Sequence, residues 1–268
     1  MLPAVASLHV YPVKSLGGFA PPSWELDAFG LRLDRRWMVV DANGVFLSQR
    51  THPRMALGRA TPEGAGARLE APGMPPITVP PGLPGERLVT VRIWKDRCTA
   101  LPCGPAADAW VSGLVGDRCR LVYMDDATRR SIEPNDAGAA GRVAFADAYP
   151  LLLLSEASLD ALNARLDVPV PMNRFRPNVV IAGVAPHAED GWAAADVGGL
   201  ELVVAKPCAR CVLTTVDQAT GLAGAEPLRT LSTYRRGERG VLFGQNVVPR
   251  TAGRLAVGMT VTPRPAPH

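Results

Sequence analysis

The sequence predicts a mainly β protein of the α+β class, built as two β-barrel-like halves with a few flanking helices. Three features predict it. Short apolar runs rich in valine recur along the whole chain. Proline and glycine, 26 of each in 268 residues, separate these runs, as turns do in barrels and sandwiches. Helical periodicity is confined to a few segments.

The runs appear in order. VASLHVYPV (5–13) opens the chain, followed by RWMVVD (36–41) and VFLSQ (45–49). An Asn43-Gly44 pair between the latter two predicts a hairpin, because both residues accept the positive φ of a tight primed turn. Next come LVTVRIW (88–94) and CRLVYM (119–124), then PLLLLS (150–155) and NVVIAG (178–183). LELVVA (200–205), CVLTTV (211–216) and VGMTVTP (257–263) complete the strand-like set. PAADAWVSGLVG (105–116) predicts a helix, with proline in its first turn and glycine at its end. SEASLDALNARL (155–166) predicts another. Ser155 can cap it, Glu156 suits the positive first turn, and Leu159, Leu162 and Leu166 share a face. APGMPPITVPPGLPGE (71–86) reads as turns joining strands. The polar DDATRRSIEPNDAGAAGR (125–142) reads as a long loop dividing the chain into halves at 1–120 and 121–268.

Composition narrows the function. Hydrophobic residues make up 47% and charged residues 20%, enough to bury a core and too apolar for a disordered chain. No apolar run reaches the roughly eighteen residues a membrane helix needs. The N-terminus lacks the basic and long apolar regions of a secretory signal. Five cysteines, an odd number in a long chain, do not form a secreted disulfide framework. A cytoplasmic protein is the expectation. A net charge of +4 without a dense basic block gives little support to nucleic-acid binding and suits a small anionic ligand. Only three residues are lysine, Lys14, Lys95 and Lys206.

KPCARCVLTTVDQATG (206–221) carries the clearest chemistry. Cys208 and Cys211 sit at a strand junction or bulge, beside Lys206 and Arg210, whose charges favour thiolate over thiol. Thiolates attack electrophiles and bind soft metals. Four readings remain open from the residues alone. The cysteines could be buried and inert. A zinc half-site lacks a matching second pair, since Cys98 and Cys103 are oddly spaced and the histidines form no close pair. A redox pair of the thioredoxin kind belongs at a helix N-terminus, whereas VLTTV is β-branched. The fourth reading is one metal-ligating or sulfur-carrying cysteine with the other as support.

This segment resembles the signature of the MOSC domain family, in the longer form that includes the bacterial YcbX-type proteins and the mitochondrial amidoxime-reducing components. YPVKSLGG, GLRLDRRWMVVDANGVFLSQR, LLLLSEASLDALNARL, NRFRPNVVIAG and LFGQN with VGMTV recur in that family in this order. The resemblance implies an N-terminal MOSC-associated β-barrel domain followed by a MOSC domain. It also implies the molybdenum cofactor, a molybdopterin whose metal takes one protein thiolate. By the same resemblance Cys211 is that ligand, preferred over Cys208. Lys14, Ser15 and Arg35 match phosphate-holding positions, with Arg36 standing where the family commonly has an aromatic. Arg176 and Asn178 match pterin positions, and Asp147 an acidic position beside the metal. Lys206, Arg210 and Gln245, with its neighbour Asn246, complete the expected pocket. The implied activity is reduction of N-hydroxylated compounds such as amidoximes, hydroxylamines and N-hydroxylated bases. No ferredoxin-like cysteine spacing is present. A separate ferredoxin, flavoprotein or cytochrome is therefore expected to supply electrons. The alternative from the same residues is a non-redox carrier of sulfur or cofactor through a persulfide, and a third is a thiol–disulfide protein using both cysteines.

Overall fold

The computed structural model describes residues 2–83, 85–132 and 141–266. Its largest sheet has eight strands. Along it, Ala4–Leu8 pairs with Val179–Ala182, which lies parallel to Leu151–Ser155. The order continues through Gly240–Pro249, Leu200–Arg210 and Trp192–Val197 to Val261–Pro265, with Arg236–Gly237 pairing off Gly240–Pro249. An Ala4–Thr260 bridge brings the last strand back to the first, so the sheet curls nearly into a barrel. Alternate residues face its interior, where Leu8, Leu153, Ile181, Leu202, Val247 and Val261 form one buried cluster.

The first half of the chain adds three smaller sheets. Trp37–Val40, Arg120–Tyr123, Asp96–Pro102 and Val89–Ile93 form one. Arg59–Glu63, Gly66–Ala71 and Met74–Val79 form a second. The third joins Ser23–Asp27 and Gly30–Leu31 to the late strand Gly253–Ala256. The chain's two ends therefore both contribute to sheets of the other half.

Pro105–Val115 is helical and stops at Gly116, whose left-handed backbone ends it. It buries Trp110, Val111 and Leu114 against Trp37 and Leu121. Glu156–Asn163 is capped by the Ser155 side chain, which accepts from Ser158 N. Leu162 is fully buried there, with Leu159 and Leu166 packed on the same cluster. The chain turns at Asn43-Gly44, with Gly44 but not Asn43 at positive φ, and VFLSQ beyond it makes isolated bridges at Val45 and Phe46 rather than a strand. Asp41 accepts from the Asn43 and Val45 amides, and Val40 bridges Phe46.

Two further expectations are corrected. Met74–Val79, read as turns, is a strand. It has a partner on one side only, and an edge tolerates Pro75 and Pro76, which cannot donate to a ladder. CVLTTV, read as a strand, contains a 3-10 turn at Val212–Thr215. The Thr214 and Thr215 hydroxyls donate to Cys211 O and Val212 O, offering the backbone a tighter path than a ladder. A third helix, Leu228–Tyr234, has no counterpart in the expectations. The expected loop 125–142 lies partly outside the described residues.

Candidate active site

Residues distant in sequence converge on a cavity of about 300 Å³ between the large sheet and the sheet of Trp37–Val40. Lys14 and Ser15 enter from the turn after the first strand, held where Lys14 N donates to Trp37 O. Arg35 arrives on the turn before Trp37–Val40, and Arg176 and Asn178 on the approach to Val179–Ala182. Asp147 projects from the loop before Leu151–Ser155. Arg130 ties that loop down, donating to the carbonyls of Ala144 (2.7 Å), Ala146 (2.5 Å) and Asp147 (2.9 Å). Cys208, Arg210 and Cys211 come from the end of Leu200–Arg210, where the register with Gly240–Pro249 shifts between Pro207 and Ala209. Cys208 thus sits at a bulge, which turns side chains out of the regular alternation, and Cys211 lies just past the strand at the start of the Val212–Thr215 turn.

Among the described residues six non-glycine residues have positive φ, and four of them, Ser15, Arg35, Trp94 and Arg176, line this cavity. Such backbone conformations are costly and concentrate where a site requires them.

The metal-binding candidate has a partner that sequence reasoning missed. Arg50 Nε donates to Cys211 Sγ at 3.2 Å, while its Nη2 donates to Asp147 Oδ2 at 2.7 Å. Arg210 serves the other cysteine, donating to Cys208 Sγ at 3.0 Å and to Phe175 O at 2.8 Å. Asp147 also receives Lys14 Nζ at 2.5 Å and the Trp94 indole at 3.3 Å. Burial works against the Asp147 charge, but Lys14 and Arg50 outweigh it and hold the carboxyl well below the usual carboxylate range. Burial also pulls the Lys14 ammonium down to about 8, against the attraction of Asp147.

Deeper in, Arg35 and Arg176 both lie on the Tyr11 ring, at 4.5 Å and 4.2 Å. Arg35 is paired with buried Asp34 and donates to Asn178 Oδ1 at 2.9 Å. Asn178 is a cross-brace as well as a lining residue. Its Oδ1 also accepts from Leu152 N, and its Nδ2 donates to His9 O. Arg176 is pushed down to about 10 by burial and by the nearby Arg35 charge. Its buried Nη2 has no hydrogen-bond partner.

Most expected residues meet here: Lys14, Ser15, Arg35, Asp147, Arg176, Asn178, Arg210 and Cys211. Lys206 and Gln245 do not. Lys206 lies with its ammonium 5.1 Å from the Tyr149 ring centre, and Gln245 donates to Asp190. Both line a separate groove: the register shift between Pro207 and Ala209 turns Lys206 away from Cys208, and strand alternation turns Gln245 away from Asn246. Arg36 also points elsewhere, stacked on Phe29 and Tyr123 and donating to Met124 O. Arg50 ends the quoted VFLSQR run, so its position was visible although its role was not. Trp94 gave no signal beyond ending a strand-like run.

The chemistry of the lining suits a phosphorylated, thiolate-ligated cofactor. Five cations, Lys14, Arg35, Arg50, Arg176 and Arg210, face one carboxylate, Asp147. An unpartnered buried guanidinium nitrogen is a ready donor for an anionic or carbonyl oxygen. Among the described residues no three His, Cys, Asp or Glu side chains are grouped to hold a metal by themselves. A metal here would need ligands from an organic group in addition to Cys211.

Residues 2–118 match the model of the MOSC N-terminal beta barrel domain, and residues 140–262 match that of the MOSC domain. The chain belongs to the MOSC family. Its relatives within that family include the mouse (Mus musculus) mitochondrial amidoxime-reducing component 1, 37% identical over 95% of this chain and 80% of the relative. The human (Homo sapiens) protein of that name is 35% identical over 95% and 81%. A Danio rerio molybdenum cofactor sulfurase is 31% identical over 97% of this chain but only 34% of its own length. The similarity to the reducing components thus runs through both MOSC units, whereas the sulfurase has a large additional part.

Proposed function

We propose that this MOSC protein is a molybdenum-cofactor-dependent reductase of N-hydroxylated compounds. One observation carries the reading: Arg50 joins the Cys211 sulfur to a half-exposed carboxylate, Asp147, inside a strongly cationic cleft. Amidoxime-reducing components as relatives over 95% of the chain supply the reaction class.

Cys211 would ligate the molybdenum. Lys14, Ser15 and Arg35 would hold the cofactor phosphate, and Arg176 and Arg210 the pterin side. When bound, the cofactor supplies the two-electron chemistry of N–O cleavage. The protein's part is orientation and proton handling. Asp147 is held ionised, so at neutral pH it accepts hydrogen bonds from substrate N–H groups and is a poor proton donor. The overall change consumes two electrons and two protons and releases water. Electrons come from a separate ferredoxin, flavoprotein or cytochrome. Lys206 and Gln245 play no direct part in this scheme. We also propose the division into units at 1–120 and 121–268. Among the described residues no helix is long and apolar enough to cross a membrane. All five cysteines are free thiols, which supports placement in the reducing cytoplasm.

The test is turnover of benzamidoxime to benzamidine by protein produced in a cofactor-competent host and supplied with reduced methyl viologen. Activity that disappears in Cys211→Ser supports the proposal. Molybdenum-loaded protein that yields no benzamidine overturns it, and labile sulfur without molybdenum would favour the carrier.

A further inference from the structure

Trp94 stands out among the lining residues because its position is costly and its ring is not fully used. It lies in the two-residue loop between Val89–Ile93 and Asp96–Pro102, where Ile93 pairs with Asp96. Its φ of 54° is one that hairpin loops normally assign to glycine or asparagine. A bulky aromatic there is conformationally unfavourable, and it stays 49% exposed. Burial of apolar surface therefore does not account for it.

The side chain is nevertheless fixed. Phe46 meets it edge-on at 4.9 Å, and the Arg50 guanidinium lies 4.7 Å from its centre. The indole N–H reaches Asp147 Oδ1 at 3.3 Å. The result is a rigid aromatic surface in the cavity that holds Cys211, adjoining a carboxylate held in its charged form.

We infer that Trp94 is a specificity-determining residue: a stacking platform that favours planar, conjugated N-hydroxylated substrates over small aliphatic ones. The inference rests on the reductase reading above. An amidoxime conjugated to an aromatic ring presents a flat π-face to the indole and an N–H group to Asp147. A methylated hydroxylamine offers no such face. Stacking on one aromatic side chain is worth about a 5- to 10-fold preference.

Two variants isolate the ring. Trp94→Gly removes it while suiting the left-handed backbone, and Trp94→Phe keeps a ring without the N–H. The first readout is the ratio of KM for N-methylhydroxylamine to KM for benzamidoxime, which cancels any general damage to the cleft. The second is the Kd of benzamidoxime for the oxidised, molybdenum-loaded protein by calorimetry, which requires no turnover. We expect Trp94→Gly to lower the ratio about 5- to 10-fold and weaken benzamidoxime binding by a similar factor, with Trp94→Phe close to wild type. A ratio and a Kd within twofold of wild type in Trp94→Gly would overturn the inference. So would an equal loss in both variants, which would assign the effect to the indole N–H. If wild type binds benzamidoxime in a Trp94-dependent way yet never reduces it, the platform stands and the reductase reading fails.

Discussion

Removing the Lys14 ammonium should change how stability depends on pH. Lys14 is 5% exposed, and burial lowers its pKa from 10.5 to about 8. The folded state therefore binds this proton less tightly than the unfolded chain. Below pH 8 both states carry the charge and folding bears the full cost. Between 8 and 10.5 the folded protein releases the proton while the unfolded chain retains it, so this group's contribution rises with pH. From pH 7 to pH 10 the recovered free energy is on the order of 2 to 3 kcal/mol, taking about 1.4 kcal/mol per pKa unit. In Lys14→Met the contribution is absent. Asp147 keeps Arg50 as a partner, so the variant retains a charge pair at the site. Urea unfolding of cofactor-free wild type and Lys14→Met at pH 7, 8, 9 and 10 measures the difference directly, because other titrating groups act in both. Wild type should gain about 2 to 3 kcal/mol on the variant across this range. Parallel profiles would refute the reasoning. In loaded protein a phosphate beside the ammonium would favour its charged form, and the gain should shrink.

Further outcomes follow from the same geometry. Arg50→Ala leaves Cys211 and one Asp147 oxygen without their charged donor. It should lower molybdenum retention after dialysis and reduce benzamidoxime turnover at least about 10-fold, given about 1.5–3 kcal/mol for each charge-assisted hydrogen bond. Arg176→Gln removes a guanidinium whose buried Nη2 has no partner; cofactor release should accelerate about 10-fold or more, followed by the loss of pterin fluorescence from the protein fraction. Gly18→Ala would place its Cβ 1.9 Å from Val10 O, against a backbone paired through the Val10–Phe19 bridge. A loss of about 3 kcal/mol or more in urea unfolding is expected.

Local patterns were legible where one chain segment decides its own structure. Ser155 as a cap, Gly116 as a helix stop and Asn43-Gly44 as a turn depend on neighbours within a few residues. Most valine-rich runs became strands for the same reason. The failures have a different cause. Whether Pro75 and Pro76 lie in a turn or at a sheet edge depends on which partners are absent. The 3-10 turn after Cys211 depends on threonine hydroxyls winning over β-propensity. At the site, residue types near the cysteine pair drew attention to Lys206 and Arg210. Bulging of the strand instead aims Arg210 at Cys208 and turns Lys206 to Tyr149. The partner of Cys211 comes from 161 residues away in sequence, a pairing that only the folded topology creates.

The role of Cys211 is tested most directly by molybdenum per chain, measured by elemental analysis on wild type, Cys211→Ala and Cys208→Ala purified from one cofactor-competent host. Metal near one atom per chain in wild type and Cys208→Ala, with almost none in Cys211→Ala, is the predicted result. Full occupancy in Cys211→Ala, or equal loss in both variants, would contradict a single thiolate ligand at residue 211.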